Sequence, residues 1–270
     1  MLTIVDAPII LYVVQEAVKA GIEDIILISG RQKHSIEDFF DCSYELEDTL
    51  EKNGKFDLLK IAKDVRNMAN IISVRQKSAL GLGHAILCSQ PIVGTDPFAV
   101  LLGDEIMIED SNSKTAIAQL CDVYQEKSVS AVAVMEVAQT ETSKYGIVEV
   151  ADPASKIMQV KKIIEKPKLG QTTSLLAIPG RYVFDSKVYE YLKNQKPGVG
   201  NEIQLSDSMQ MLSQNDGLVA SKILNNTRYD AGDKLGFIQA NIEIALKKPE
   251  LRDSLKSYLL KLTSDKLSTF

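Results

Sequence analysis

Two stretches of the sequence carry residues whose types and spacing suit phosphate chemistry. Residues 80–85 read Leu-Gly-Leu-Gly-His-Ala, and residues 101–104 read Leu-Leu-Gly-Asp. A glycine loop that runs into a helix lets backbone N–H groups approach a flat or charged ligand closely. The carboxylate of Asp104 follows a strand, and in α/β sheets ligands bind at the carboxyl ends of the strands. The two stretches therefore predict a nucleotide held by backbone groups and a metal ion held by Asp104.

The composition limits the classes of protein to which the chain can belong. Its 270 residues are 45% hydrophobic and 25% charged, which is ordinary for a globular protein. A net charge of −5 offers no basic surface for nucleic acid, so any phosphate site must be local. The three cysteines are widely spaced and form neither a metal-ligand pair nor a disulfide framework. No segment has the pattern of a membrane span or a secretory signal, and we expect a cytoplasmic protein.

Hydrophobic periodicity predicts alternating strands and helices in the first half of the chain. Strands are expected at 24–30, 71–75, 98–102 and 130–134, and helical segments at 9–20, 37–67, 85–90 and 115–126. The first strand reads as fully buried, and Asp6 as the cap of the first helix. After Tyr145 the strands become shorter, and helices return from Ser186 to the end of the chain. The predicted fold class is α/β, with a Rossmann-like, mostly parallel central sheet, helices on both faces and a smaller mixed or antiparallel portion.

An ordered set of short motifs resembles the sugar nucleotidyltransferases over nearly the whole chain. The motifs are Arg75-Gln76-Lys77, the glycine loop at 80–85, Leu102-Gly103-Asp104, Ser143-Lys144-Tyr145-Gly146, Ile164-Glu165-Lys166-Pro167, Gly180-Arg181-Tyr182, Glu202-Ile203-Gln204-Leu205-Ser206-Asp207 and Arg228-Tyr229-Asp230-Ala231-Gly232-Asp233-Lys234. The helical insertion around residues 40–47 resembles the bacterial UTP–glucose-1-phosphate uridylyltransferase branch in particular. Each motif alone is a weak signal, whereas their common order is a strong one.

The resemblance implies a nucleotide-diphospho-sugar transferase fold and a specific reaction. A phosphate oxygen of glucose 1-phosphate would attack the α-phosphorus of UTP, so that UDP-glucose forms and pyrophosphate leaves. No covalent enzyme intermediate is expected, and catalysis would consist of positioning and charge neutralisation. The resemblance also implies a single domain, with a nucleotide-binding part at 1–136, a sugar-binding part at 137–233 and C-terminal helices at 234–270.

The resemblance assigns a role to each candidate binding residue. Gln76 and the backbone at Gly81 would read the uracil base, since an amide both donates and accepts hydrogen bonds. Gly146 would let the backbone approach the sugar, and Glu165 would accept hydrogen bonds from glucose hydroxyls. Lys166 would bind the sugar phosphate as a catalytic residue. Without the resemblance, Lys166 reads as part of a solvated charge run with Lys161, Lys162 and Lys168, and the glycines read as ordinary loop residues.

A magnesium ion is the cofactor that the resemblance implies. Asp104, a catalytic and nucleotide-binding residue in this interpretation, would bind Mg²⁺ that bridges the two substrates, and Asp230 would be the second carboxylate. Mg²⁺ keeps several waters and needs only one or two carboxylates. The ordinary alternatives are a strand-end aspartate that caps a turn and a turn aspartate in Asp230-Ala231-Gly232. His84 reads as structural, because the attacking phosphate is already ionised and needs no proton shuttle.

The sequence departs from the family pattern at several positions. Family members begin with a strand and a glycine-rich loop bearing an arginine and lysines, and this sequence starts after that loop; the hypothesis is that it is a shortened version of a longer gene product. Thr3, Ala7 and Leu175 replace a proline, a lysine and an asparagine that are usual there. The last of these lies near the sugar side, so the reaction class is better supported than the sugar preference.

Two other functions stay open at the level of sequence. The chain could be a catalytically impaired homologue that binds nucleotide sugar or assembles with an intact paralogue. It could also be a thymidylyl- or cytidylyltransferase, although the helical insertion after Phe40 argues against this. The resemblance further suggests a homodimer or a homotetramer, and no nucleic-acid or membrane partner is expected.

Overall fold

The computed structural model describes residues 1–265. Its strands are β1 (Thr3–Ile4), β2 (Ala7–Pro8), β3 (Asp24–Ser29), β4 (Asn70–Arg75), β5 (Phe98–Leu101), β6 (Glu105–Glu109), β7 (Ser130–Glu136), β8 (Gly146–Val150), β9 (Ile157–Glu165), β10 (Leu176–Ala177), β11 (Arg181–Phe184), β12 (Leu218–Lys222) and β13 (Asn226–Asp230). Its helices are α1 (Ile9–Lys19), α2 (His34–Phe40), α3 (Tyr44–Lys52), α4 (Phe56–Arg66), α5 (Leu82–Leu87), α6 (Gln90–Val93), α7 (Ala116–Lys127), α8 (Val188–Asn194), α9 (Leu205–Asn215), α10 (Lys234–Lys247) and α11 (Pro249–Asp265).

The main sheet has seven strands in the order β10-β8-β9-β12-β7-β11-β5. β12 pairs with β7 in parallel, whereas β11 lies antiparallel between β7 and β5. Consequently β5, β7 and β12 run in the same direction, and β8, β9 and β10 form an antiparallel end. The predicted α/β class with a mixed portion is confirmed. The predicted mostly parallel centre is not observed in this sheet: β7–β12 is a parallel pair, whereas the other pairings described for its strands are antiparallel, and the reversed strand β11 separates β7 from β5.

Helices cover both faces of this sheet, as the sequence predicts. Residues of one parity on β7 and β11, such as Val132 and Phe184, pack with residues of α5, α8 and α9. Residues of the other parity, such as Ala133 and Val183, pack against α7 through residues such as Leu120. The alternation follows from the two-residue period of a strand, whose successive side chains point to opposite faces.

Two short sheets complete the architecture relevant to the site. β3 and β4 pair in parallel, and β6 and β13 pair antiparallel with Glu105 opposite Asp230. The prediction that β3 is fully buried is wrong, since only Leu27 and Ser29 of this strand are buried. The reason is that β3 lies in a sheet of two strands rather than inside the seven-stranded sheet.

The predicted helices occur in the expected order, but some of their ends differ. The insertion at 37–67 forms the three helices α2, α3 and α4. The predicted cap of α1 is wrong, because the helix begins after Pro8 and the Asp6 carboxylate instead accepts hydrogen bonds from Lys248 Nζ at 2.6 and 2.7 Å. The amphipathic tail from Pro249 forms α11, which packs against α10. Within residues 1–265, no helix combines the length and the hydrophobicity that a bilayer crossing requires.

The glycine loop is held in place by the backbone of the segment that precedes α9. Gly83 N donates to Ile203 O at 2.9 Å, and Ile203 N donates to Leu80 O at 2.8 Å. A Cβ at Gly83 would lie 2.6 Å from Ile203 O and 2.8 Å from Leu192 Cδ2, closer than real Cβ contacts allow. Gly83 is therefore a close-packing position, and the glycine allows the loop to pack against α8 and the segment that precedes α9.

Replacing Gly83 with alanine should lower the free energy of unfolding by about 2 kcal/mol, because overpacking displaces the Ile203 backbone. Urea denaturation followed by circular dichroism measures this change. Gly30→Ala is the matched control, since a Cβ there meets no atom within 4 Å and the backbone has no positive φ. Equal stability of the two variants would contradict the packing role.

Candidate active site

The turn that follows β5 brings Asp104 to one end of the two-stranded β6–β13 sheet. Residues 102–105 form a turn in which Glu105 N donates to Leu102 O at 3.4 Å. Asp104 O accepts a hydrogen bond of 3.0 Å from Ala231 N, the residue after Asp230. The structure thus brings together the two carboxylates that the sequence proposes for a metal ion, although 126 positions separate them along the chain.

The space between these carboxylates fits a hard cation. A Cβ at Gly232 would lie 3.2 Å from Asp230 Oδ1 and 3.6 Å from Asp104 Oδ2, so a side chain there would occupy the space they share. Among residues 1–265 no group of three or more His, Cys, Asp and Glu residues is arranged to hold a metal. Two carboxylates are a donor set that suffices for Mg²⁺, which usually takes its remaining oxygens from phosphates and water.

The two carboxylates differ in the number of hydrogen bonds that they accept from the protein. Asp104 is exposed, and its carboxylate makes no hydrogen bond with any residue that the structure describes. By contrast, Asp230 Oδ1 accepts hydrogen bonds from Gly232 N at 2.9 Å and Asp233 N at 3.2 Å, and Asp230 Oδ2 lies 3.1 Å from Arg228 Nη2. Asp104 is the more available ligand, whereas Asp230 is held in a fixed orientation.

Arg228 stabilises the negative charge at this end of the β6–β13 sheet. Its side chain is 8% exposed and forms a two-point ion pair with Glu105, with Nε 2.5 Å from Oε2 and Nη2 bonded to Oε1. Burial raises the pKa of Glu105, and the hydrogen bonds from Arg228 oppose that rise. Burial acts to lower the pKa of Arg228, because it disfavours the charged form. The hydrogen bonds to Glu105 and the attraction between the two charges outweigh this effect and raise the pKa of Arg228 above its ordinary value. The guanidinium therefore stays charged beside the candidate metal ligands.

The candidate sugar-binding residues lie together at the start of β8 and the end of β9. Gly146 is paired with Glu165 in the antiparallel register, and a Cβ at Gly146 would lie 3.2 Å from Glu165 Oε2. Lys166 N donates to Tyr145 O at 3.0 Å. The φ of Lys166 is 43°, a left-handed conformation that non-glycine residues seldom adopt and that occurs often at functional sites. Glu165 and Lys166 are both exposed.

The candidate base-binding residues form a third group at the glycine loop. Gln76 follows β4, and its Nε2 donates to Gly81 O at 3.1 Å and lies 3.0 Å from His84 Nδ1. Gly81 has a φ of 89° and precedes the first residue of α5. His84 therefore contacts the Gln76 side chain, and its structural role stays a prediction.

Residues without an assigned role connect two of these groups. Arg228 Nη1 donates to Tyr145 Oη at 2.7 Å, and its guanidinium carbon lies 4.7 Å from the Tyr145 ring centroid. Arg228 thus links Asp230 to the Gly146 segment, whereas within residues 1–265 the Gln76 side chain bonds to neither group. Sequence reasoning missed Arg228, Tyr145 and Glu105, and the only signal was that the first two stand inside the motifs that carry the resemblance.

Comparison with known proteins identifies the family. The Nucleotidyl transferase family model matches residues 1–246. The chain is 45% identical to the UTP–glucose-1-phosphate uridylyltransferase of Staphylococcus epidermidis, over 97% of this chain and 90% of that protein. A UTP-bound UGPase from Acinetobacter baumannii has a TM-score of 0.89 at 39% identity, covering 97% of this chain and 90% of that one.

A second solved structure, a UDP-glucose pyrophosphorylase complexed with UDP-glucose, has a TM-score of 0.83 at 36% identity and covers 92% of this chain and 90% of that one. The resemblance drawn from the ordered motifs is thereby confirmed. The chain belongs to the nucleotidyl transferase family of enzymes, within its bacterial UTP–glucose-1-phosphate uridylyltransferase branch.

Proposed function

We propose that the protein transfers a uridylyl group from UTP to glucose 1-phosphate, with Mg²⁺ as cofactor. The observation that carries the proposal is the shared space between Asp104 and Asp230, linked through Arg228 to the segment of Gly146, Glu165 and Lys166. Relatives named for this activity, and solved structures with UTP and with UDP-glucose, support the choice of substrates.

Different residues bind the two substrates. Gln76 and the backbone at Gly81 bind the uracil base of UTP, and Glu165 accepts hydrogen bonds from the glucose hydroxyls beside Gly146. Lys166 binds the phosphate of glucose 1-phosphate as a compact positive charge. Asp104 and Asp230 would hold Mg²⁺, which when bound neutralises the phosphate charge that keeps the substrates apart.

The reaction is a displacement at the α-phosphorus of UTP. An oxygen of the sugar phosphate forms a new bond to that phosphorus, and the bond from the phosphorus to the bridging oxygen breaks, releasing pyrophosphate. Because the attacking oxygen is ionised, no side chain needs to remove a proton. The chain contributes orientation through Lys166 and Glu165, and fixed charge through Asp104 and Lys166, as expected for phosphoryl transfer.

The alternative of a catalytically impaired homologue is not favoured, because the relatives that match nearly the whole chain are named as uridylyltransferases. A homodimer or homotetramer, a cytoplasmic location and the division at residues 136 and 233 stay predictions. Size-exclusion chromatography with light scattering measures the first of these.

Asp104→Asn should lower kcat for UDP-glucose synthesis by about 100-fold or more, since metal-assisted charge neutralisation contributes several kcal/mol to such a step. Pyrophosphate release from UTP and glucose 1-phosphate measures the rate. Asp110→Asn removes an equal charge at the far end of β6 and should leave the rate within about twofold, as exposed charges contribute little. Unchanged magnesium-dependent turnover in Asp104→Asn would refute the assignment.

Lys166→Met should raise the KM for glucose 1-phosphate by about tenfold or more, because a hydrogen bond to a charged group contributes about 1.5–3 kcal/mol. Lys168→Met is the matched control from the same charge run, and its KM should stay near that of the parent protein. Equal effects of the two substitutions would mean that the lysines act only as a solvated positive surface.

Gln76→Ala should raise the KM for UTP by about 3- to 10-fold and weaken the preference for UTP over other nucleoside triphosphates, because the amide reads the base edge. Gln125→Ala, on the exposed surface of α7, serves as the control. A nucleotide competition assay measures both effects, and an unaltered preference would place base recognition elsewhere.

A further inference from the structure

One buried guanidinium group donates hydrogen bonds to the backbone of the turn that carries Asp104. Arg181, the first residue of β11, is fully buried. Its Nη1 donates to Leu102 O at 3.3 Å, and its Nη2 donates to Glu105 O at 2.7 Å. These carbonyls belong to the first and last residues of the turn 102–105, so a single planar group spans both ends of the segment that presents Asp104.

A second set of contacts fixes the guanidinium itself. Glu16 on α1 is 3% exposed, and its carboxylate accepts hydrogen bonds from Arg181 Nε at 3.1 and 3.2 Å and from Nη2 at 2.8 Å. Glu16 Oε1 also accepts from Ile117 N, in the first turn of α7, at 3.1 Å. All three guanidinium nitrogens have acceptors, and Arg181 is anchored to two helices as well as to its own strand.

Stability alone does not explain a fully buried ion pair. Moving two charges out of water costs several kcal/mol for each ion, and well-packed apolar residues of similar volume are often as stabilising or more so. An arginine, unlike an apolar residue, supplies a rigid, planar set of hydrogen-bond donors in fixed directions. Here Nη1 and Nη2 point at the two carbonyls flanking the turn of Asp104.

We propose that Arg181 is a positioning residue that fixes the turn 102–105, so that the Asp104 carboxylate faces the space it shares with Asp230. The hydrogen bond from Ala231 N to Asp104 O is a further contact that fixes the backbone of this turn. The proposal rests on the metal-binding role of Asp104 in the proposed function. Arg181 contacts no substrate in this role and acts through the backbone of the turn.

The test compares the parent protein, Arg181→Lys and the double variant Glu16→Gln/Arg181→Met. The double variant removes both buried charges together, because Arg181→Met alone would leave the buried carboxylate of Glu16 without its counter-charge. The amide oxygen introduced at position 16 can still accept from Ile117 N.

Three measurements separate the metal site from the fold and from the reaction. Binding of Mn²⁺ alone, followed by electron paramagnetic resonance, reports on the site without turnover. Thermal unfolding reports on the fold, and magnesium titration of UDP-glucose synthesis reports on the reaction.

The double variant should unfold within a few degrees of the parent protein but bind Mn²⁺ about tenfold more weakly, since residues that orient metal ligands typically contribute 10- to 100-fold to metal affinity. Its magnesium concentration for half-maximal activity should rise by a similar factor. Arg181→Lys keeps the charge but lacks the planar fork, and it should show a smaller shift in the same direction.

Mn²⁺ binding and magnesium dependence equal to those of the parent protein, in a folded double variant, would overturn the proposal. If the double variant does not fold, Arg181→Lys decides in the same way: weaker Mn²⁺ binding supports the proposal, and unchanged binding overturns it. Unchanged Mn²⁺ binding in Asp104→Asn would also overturn it. If the parent protein binds Mn²⁺ through Asp104 but makes no UDP-glucose, the proposed function is refuted, whereas the positioning role of Arg181 is not.

Discussion

The ion pair between Arg228 and Glu105 is the interaction on which the rest of the site depends. The carboxylates of Asp104, Glu105 and Asp230 lie near one another at one end of the two-stranded β6–β13 sheet, where their mutual repulsion would otherwise push the strands apart. Arg228 pairs with two of the three and leaves Asp104 exposed. The protein can therefore keep one unengaged carboxylate in a fixed place before any ligand binds, which is the preorganisation that charge neutralisation in catalysis requires.

The same arginine joins two of the three groups of candidate residues. Its contact with Tyr145 connects the two-stranded β6–β13 sheet to the antiparallel end of the main sheet, where Gly146 and Glu165 are paired. A transfer reaction needs its two substrates held at a constant separation, and the proposed function assigns this role to the rigid link between the candidate metal ligands and the candidate sugar-binding residues. The site therefore depends on tertiary contacts between two sheets more than on any one loop.

Local sequence signals predicted many of the elements and the positions of the candidate residues, but not the partners of those residues or their burial. An apolar run followed by Gly103-Asp104 places Asp104 in the turn after β5, although the residues of β5 are half-buried rather than buried. Arg228 and Glu105, in contrast, are separated by 123 positions, and no spacing encodes their contact.

The burial of β3 is mispredicted for a related reason, since an apolar run shows that a strand forms but not how many strands lie beside it. Asp6 has the residue type of a helix cap, yet Lys248, 242 positions away, binds its carboxylate.

The left-handed backbone at Lys166 has a geometric consequence. In a regular strand, neighbouring side chains project to opposite faces, so Glu165 and Lys166 could not both serve one ligand. The φ of 43° at Lys166 ends that alternation immediately after the last residue of β9. Glu165 and Lys166 are therefore not fixed to opposite faces of one strand, and the proposed function assigns to this dipeptide both the hydroxyl groups and the phosphate of the same sugar.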